Sequence, residues 1–159
     1  MRYIAVLAIV LLSACSLFSR NTDDFFCPKI GFIADADMIS LPNGEALIDG
    51  FKGSCSFSKD PNEVQLELTL PFKARMTAPA AAKRLKLPYF IAVLSPEEAI
   101  LQRQALSTKV DFDNTGAGSS TEEHRIKIPL PSLAEAYKYK VVIGFVLTPA
   151  QLKQNKEKK

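Results

Sequence analysis

The stretch VQLELTLPFKA, residues 64–74, decides the fold. Val64, Leu66, Leu68, Leu70, Phe72 and Ala74 fall on one side of an extended chain, and Gln65, Glu67, Thr69, Pro71 and Lys73 on the other. Successive side chains of a strand point to opposite faces, so this period of two describes a strand that is packed on one face and wetted on the other. Such half-wet strands belong to antiparallel sheets, because parallel sheets are covered on both faces and read as unbroken apolar runs. Pro71 has no N–H to give to a ladder, which predicts a sheet edge or a bulge at that end of the strand.

The same pattern continues outward in both directions. Upstream, Phe51, Gly53, Cys55 and Phe57 alternate with Lys52, Ser54, Ser56 and Ser58, and Lys59-Asp60-Pro61-Asn62 turns the chain into the central stretch. Earlier still, residues 30–33 and 38–41 are apolar, broken by Asp35 and Asp37 and closed by Asn43-Gly44, which fits two short strands or one bent one. Downstream, residues 80–84 hold one or two helical turns at most, and residues 87–94 form an apolar strand interrupted by Pro88. Ser95-Pro96-Glu97-Glu98 turns the chain, and residues 100–106 and 109–112 read as strand. Residues 114–121 read as a polar, glycine-rich mobile loop. Ile126, Ile128 and Leu130 alternate in the next strand, and Tyr137, Tyr139, Val141, Ile143, Phe145 and Leu147 make the last. Thr148 and Pro149 cap a final helical turn at 150–154. No helical crossover of about 10–15 residues separates the strands, so the expected architecture is all-β, an antiparallel two-sheet sandwich of seven or eight strands in one domain, residues 27–149.

The N-terminus has a different character. Arg2 precedes an uncharged, mostly apolar run, residues 3–12, too short for the roughly 20 residues of a membrane-spanning helix. The run ends in Leu12-Ser13-Ala14-Cys15, which resembles the lipobox of bacterial lipoproteins. That resemblance implies removal of residues 1–14, acylation of Cys15, as with palmitate, and attachment to a membrane, with residues 15–26 as a lipidated tether. Ser16 after the cysteine, rather than aspartate, matches the sorting pattern of outer-membrane lipoproteins, which places the domain on the outer membrane facing the periplasm. With Cys15 assigned to lipid, Cys27 and Cys55 remain as an even pair in an oxidising compartment, and a disulfide between them is expected. Residues 133–141, a leucine and a short corner leading to Tyr137 or Tyr139, resemble the tyrosine corner of immunoglobulin and fibronectin type III sandwiches. Cys27-Pro28, Leu87-Pro88-Tyr89-Phe90, Gly144-Phe145 and Leu147-Thr148-Pro149 together resemble small lipoproteins of alphaproteobacteria, a family that brings no known activity with it.

Charge narrows the partners. Without Arg2 the chain carries 19 basic and 17 acidic residues, and four of the lysines lie in the basic tail, residues 150–159. No basic face of the density needed for nucleic acid is present, and the glycines at 116 and 118 lack the helix of a nucleotide-binding loop, so neither partner is expected.

The sharpest chemical motif is Asp111, Asp113, Thr115, Gly116 and Glu122, which match places 1, 3, 5, 6 and 12 of a calcium loop. Oxygen ligands at that spacing wrap one hard cation, although no helix flanks them and a strand ending in a polar hairpin explains the same residues. Asp35 and Asp37 fall on one side if their segment is extended, either beside a shared cation or at a wet rim. His124 is the single histidine, so any Ser/His/Asp arrangement must use it, and no glycine elbow surrounds a serine; a surface histidine on a strand is the expectation. The chain is therefore expected to be a lipid-anchored, non-enzymatic binding or assembly module with an envelope protein as partner, met through a sheet edge near Pro71 or Pro88, and with no resident cofactor. Its alternatives are a calcium-dependent glycan binder and an envelope hydrolase.

Overall fold

The computed structural model describes residues 27–57, 62–77 and 84–157. The acylation motif at 12–15, the tether at 16–26, turn residues 59–61 and the helical stretch at 80–83 lie outside the described residues. The chain runs β1 (Lys29–Phe32), β2 (Met38–Leu41), β3 (Gly44–Ile48), β4 (Lys52–Phe57), β5 (Glu63–Met76), β6 (Arg84–Leu94), β7 (Ile100–Phe112), β8 (Ala117–Pro129) and β9 (Lys140–Phe145), then α1 (Pro149–Glu157). A short 3-10 helix, Leu133–Lys138, precedes β9.

The fold is all-β in its core, as expected, built as one curled sheet that makes a half-barrel in the order β1-β9-β6-β7-β8-β5-β3-β2, with β4 also paired to β5. The sheet is mixed rather than wholly antiparallel, because β1 runs parallel to β9 with Lys29 opposite Lys140. Strands joined by tight turns must be antiparallel, whereas β1 and β9 come from opposite ends of the fold and no turn dictates their direction.

β5 sits in the interior of this sheet. Val64, Leu66, Leu68, Leu70, Phe72 and Ala74 are all buried, and they share one core with Leu87, Tyr89, Ile91 and Val93 of β6 and Val141, Ile143 and Phe145 of β9. The Phe72 ring lies 4.9 Å from Tyr89 and 6.0 Å from Phe145, centroid to centroid, where the curl brings the two halves of the sheet face to face.

No edge lies at Pro71, whereas among the described residues the β9 side of β6 does lose its ladder partner at Pro88. β5 has β8 on one side and, on the other, β4 against residues 64–69 and β3 against residues 72–76. Pro71 occupies the gap between those two partners, where its carbonyl still accepts from Asp49 N at 2.8 Å and no N–H is required. Pro88 stands where the β6–β9 ladder ends, with Val146 N donating to its carbonyl at 3.0 Å.

Three other segments differ from expectation. Residues 100–112 are one continuous strand. The loop expected at 114–121 is mostly strand, because β8 begins at Ala117 and only the tight turn around Gly116, with φ of 80°, stays outside it. The helical turn expected at 150–154 is present but longer, α1 taking in most of the basic tail as far as Glu157. Thr148 and Gln151 cap its first turn reciprocally, Gln151 N donating to Thr148 Oγ1 at 3.2 Å and Thr148 N to Gln151 Oε1 at 2.9 Å. Asn155, 3% exposed, then clamps the helix onto the fold by donating to the carbonyls of Asp35 at 2.8 Å and Met38 at 2.7 Å.

Cys27 and Cys55 are joined by a disulfide, with Cα atoms 5.9 Å apart. The bond ties the chain just ahead of β1 to β4, two segments with no ladder between them. Side chains close the rest of that seam. The ring of Phe32 meets that of Phe51 edge-on at 5.6 Å, and a Cβ on Gly53 would collide with Ile30 Cδ1.

Closing a loop of 28 residues is worth about 3.5 kcal/mol in the chain-entropy model. Urea melts with and without reductant are therefore expected to differ by roughly that amount in unfolding free energy, and equal midpoints would refute it. Asn155→Ala removes the buried donor to two part-buried carbonyls and is expected to lower stability by about 1–3 kcal/mol in the same measurement.

Candidate functional site

Besides the seam fastened by the disulfide, a second seam of the half-barrel lacks a full ladder. β7 and β8 pair only at Asp111–Ser119 and Phe112–Gly118, next to their turn. Beyond those pairs, β7 keeps β6 as its partner and β8 keeps β5, so among the described residues the facing edges of β7 from Ile100 and of β8 from Ser120 carry no ladder. Unpaired strand edges present rows of N–H and C=O groups that another extended chain can take up.

Polar side chains line this seam from within. Ser120, Glu122 and His124 continue the inward face that carries Ile126 and Ile128 further along β8, and all three are half-buried. Across the seam Thr108 of β7, fully buried, donates to Glu122 Oε1 at 2.7 Å. Its hydroxyl has one proton, so Ser120 must donate to Thr108 Oγ1, also at 2.7 Å. One step deeper, the Tyr89 hydroxyl lies 2.8 Å from His124 Nε2, and the two rings meet edge-on. Burial, helped by the charge of Glu122, pushes the Tyr89 phenol well above its ordinary value. Burial also holds the His124 imidazole below its ordinary value, against an opposing pull from Glu122. With the ring neutral, the tautomer sets the direction of this bond: the phenol donates to a bare Nε2, or an Nε2–H donates to the phenol oxygen.

His124 is thus no surface histidine; it belongs to a side-chain ladder that stitches the seam where backbone pairing has stopped. Ser120 engages Thr108 and His124 engages Tyr89, so the two do not form a nucleophile–base pair with each other. The residues of the expected calcium loop are likewise held apart by other partners. Asp111 takes a forked ion pair from Arg84, with Nη2 to Oδ2 at 3.2 Å, and that hydrogen bonding lowers its pKa. Asp113 Oδ1 caps the turn, accepting from the Thr115 hydroxyl at 2.7 Å, Thr115 N at 2.8 Å and Ala117 N at 3.0 Å, and its pKa is lowered by those bonds, the hydroxyl first. Glu122 lies along β8, on the inward face and turned to Thr108. Among the described residues no three His, Cys, Asp or Glu side chains are grouped as metal ligands. Asp35 sits in a turn with φ of 63°, so it and Asp37 do not share a face by strand alternation.

Comparison of the chain with protein-family models, with curated proteins and with solved structures finds no match. The glycines and polar residues at 114–121 give the start of β8 the look of a loop, which hides the seam in the sequence. The signal was present in the period of two: Ser120, Glu122 and His124 fall in phase with Ile126 and Ile128.

The pKa of His124 links the seam to stability. A histidine whose folded pKa lies below its unfolded value of 6.5 takes up a proton more readily in the unfolded chain. Its contribution is complete above that value and is lost as pH falls through it. His124→Gln is expected to flatten the decline in melting temperature between neutral and mildly acid pH, and an unchanged slope would remove His124 as its source.

Proposed function

We propose that this protein is a lipid-anchored envelope lipoprotein on the outer membrane, facing the periplasm, whose β domain is a non-enzymatic binding or assembly module. The observation that carries the proposal is Leu12-Ser13-Ala14-Cys15 at the end of a short apolar run, followed by Ser16. The disulfide between Cys27 and Cys55 supports an exported, oxidising compartment, since such bonds are rare where thiols are kept reduced. More than one acyl chain on Cys15 would hold the protein stably, where a single chain is marginal.

The seam between β7 and β8 supplies the binding surface in this proposal, because an extended segment of an envelope protein can pair with either edge. β7 carries no proline over its length to guard that edge. The two halves of the curled sheet, β3-β5-β8 and β9-β6-β7, correspond in this view to the two layers of an immunoglobulin-like sandwich, with the facing rings of Phe72 and Tyr89 between them. Tyr139, buried at the entry to β9, takes the place of the corner tyrosine.

The wild-type chain expressed in a Gram-negative host is expected to lose residues 1–14 and to carry acyl chains on Cys15, read by intact mass and by labelling with palmitate. Cys15→Ala is expected to take up no label. A wild-type chain with an unmodified Cys15 would remove the anchor.

A further inference from the structure

We infer that the end of the sheet carrying Ile100, Leu101 and Tyr137 rests on the lipid bilayer that holds Cys15; the inference depends on the lipid-anchor proposal above. Register places these residues together with the point of chain entry. Lys29, where β1 begins, lies opposite Lys140, where β9 begins. Lys140 lies opposite Leu94, where β6 ends, and Leu94 lies opposite Ile100, where β7 begins. The 3-10 helix bearing Tyr137 leads directly into β9. The entry at Cys27, the turn at residues 95–99 and the 3-10 helix therefore share one end of the sheet. The turn around Gly116 lies at the other, about 40 Å away along the 13-residue β7.

Ile100 and Leu101 are the most exposed large apolar residues described, at 65% and 54%, and Tyr137 is exposed at 43%. They cluster where the anchored segment arrives. Residues 15–26 join the fold at Cys27, and twelve residues reach at most about 40 Å when fully extended. From β1 to β7 is three strand spacings, about 14 Å, so the apolar residues lie within the tether's reach of the bilayer. An aliphatic pair and a tyrosine suit the interface, where apolar surface is buried while a phenol stays wet.

Charge argues for contact by insertion rather than by attraction to anionic headgroups. Lys29, Lys138 and Lys140 are matched at this end by Glu97, Glu98 and Glu135, and Lys138–Glu135 and Lys140–Glu98 are ion pairs at 2.8 and 2.6 Å. The contact is therefore insensitive to salt and to the anionic fraction of the lipid. In this orientation the open edges of β7 and β8 rise away from the bilayer, and the turn around Gly116 points into the periplasm.

The chain contains no tryptophan, so a single introduced indole reports one position. Full-length acylated Leu101→Trp is placed in vesicles of phosphatidylethanolamine and phosphatidylglycerol with brominated acyl chains. Val146→Trp is the comparison; Val146 is also exposed but lies next to Pro88, six residues of β6 and about 20 Å from Leu94. Leu101→Trp is expected to be blue-shifted and strongly quenched at low and high salt, and Val146→Trp to keep its emission. Ile100→Trp repeats the measurement should Leu101→Trp fold poorly. If Cys15 is acylated and neither Ile100→Trp nor Leu101→Trp is quenched beyond Val146→Trp, the docked end is wrong while the anchor stands. If Cys15 is unmodified by mass, the anchor falls and this inference falls with it.

Discussion

Burial of one face of β5 is the constraint on which the structure depends. Its six inward side chains are all at most 6% exposed, and covering them requires the sheet to bend until β6 and β9 lie over β5. Each fully buried Leu or Phe in such a face is worth about 1.5–3 kcal/mol, so a flat sheet would forfeit the largest favourable contribution in the molecule. The curl follows from that requirement together with the natural twist of strands.

A sheet that folds over itself without closing leaves two seams, and this chain treats them differently. Between the start of β1 and β4 the seam is held by a covalent bond, by Phe32 against Phe51 and by Ile30 over Gly53. Between β7 and β8 it is held by a two-pair ladder near the turn and then by hydroxyls, a carboxylate and an imidazole. Buried polar side chains are stable only when each has its partner, and here Thr108, Ser120, Glu122, Tyr89 and His124 satisfy one another. The second seam thus keeps two backbone edges available without exposing a large apolar surface. In the proposed binding role, the fastened seam would maintain the curl while an extended chain occupied the open edges.

The disposition of the ends adds direction. Chain entry and the most exposed aliphatic residues share one end of the strands, and the β7–β8 turn is at the other. α1 is fixed along β2 by Gln151 and Asn155, so the last described residues are part of the fold rather than a free basic arm.

The all-β class, the central strand, the inward set on β5 and the pairing of Cys27 with Cys55 were legible in the sequence, because each depends on local alternation or on cysteine number. Tertiary structure alone decided the rest. A period of two states which side chains face inward but not which strands become neighbours, so the parallel β1–β9 pair, the interior place of Pro71 and the open edges of β7 and β8 could not be read from it. His124 looked like a surface residue because its neighbours in sequence are charged; its partner, Tyr89, lies 35 residues away and meets it only when the sheet curls. Alternation is written in the chain, whereas adjacency follows from how a bent sheet buries its inner face.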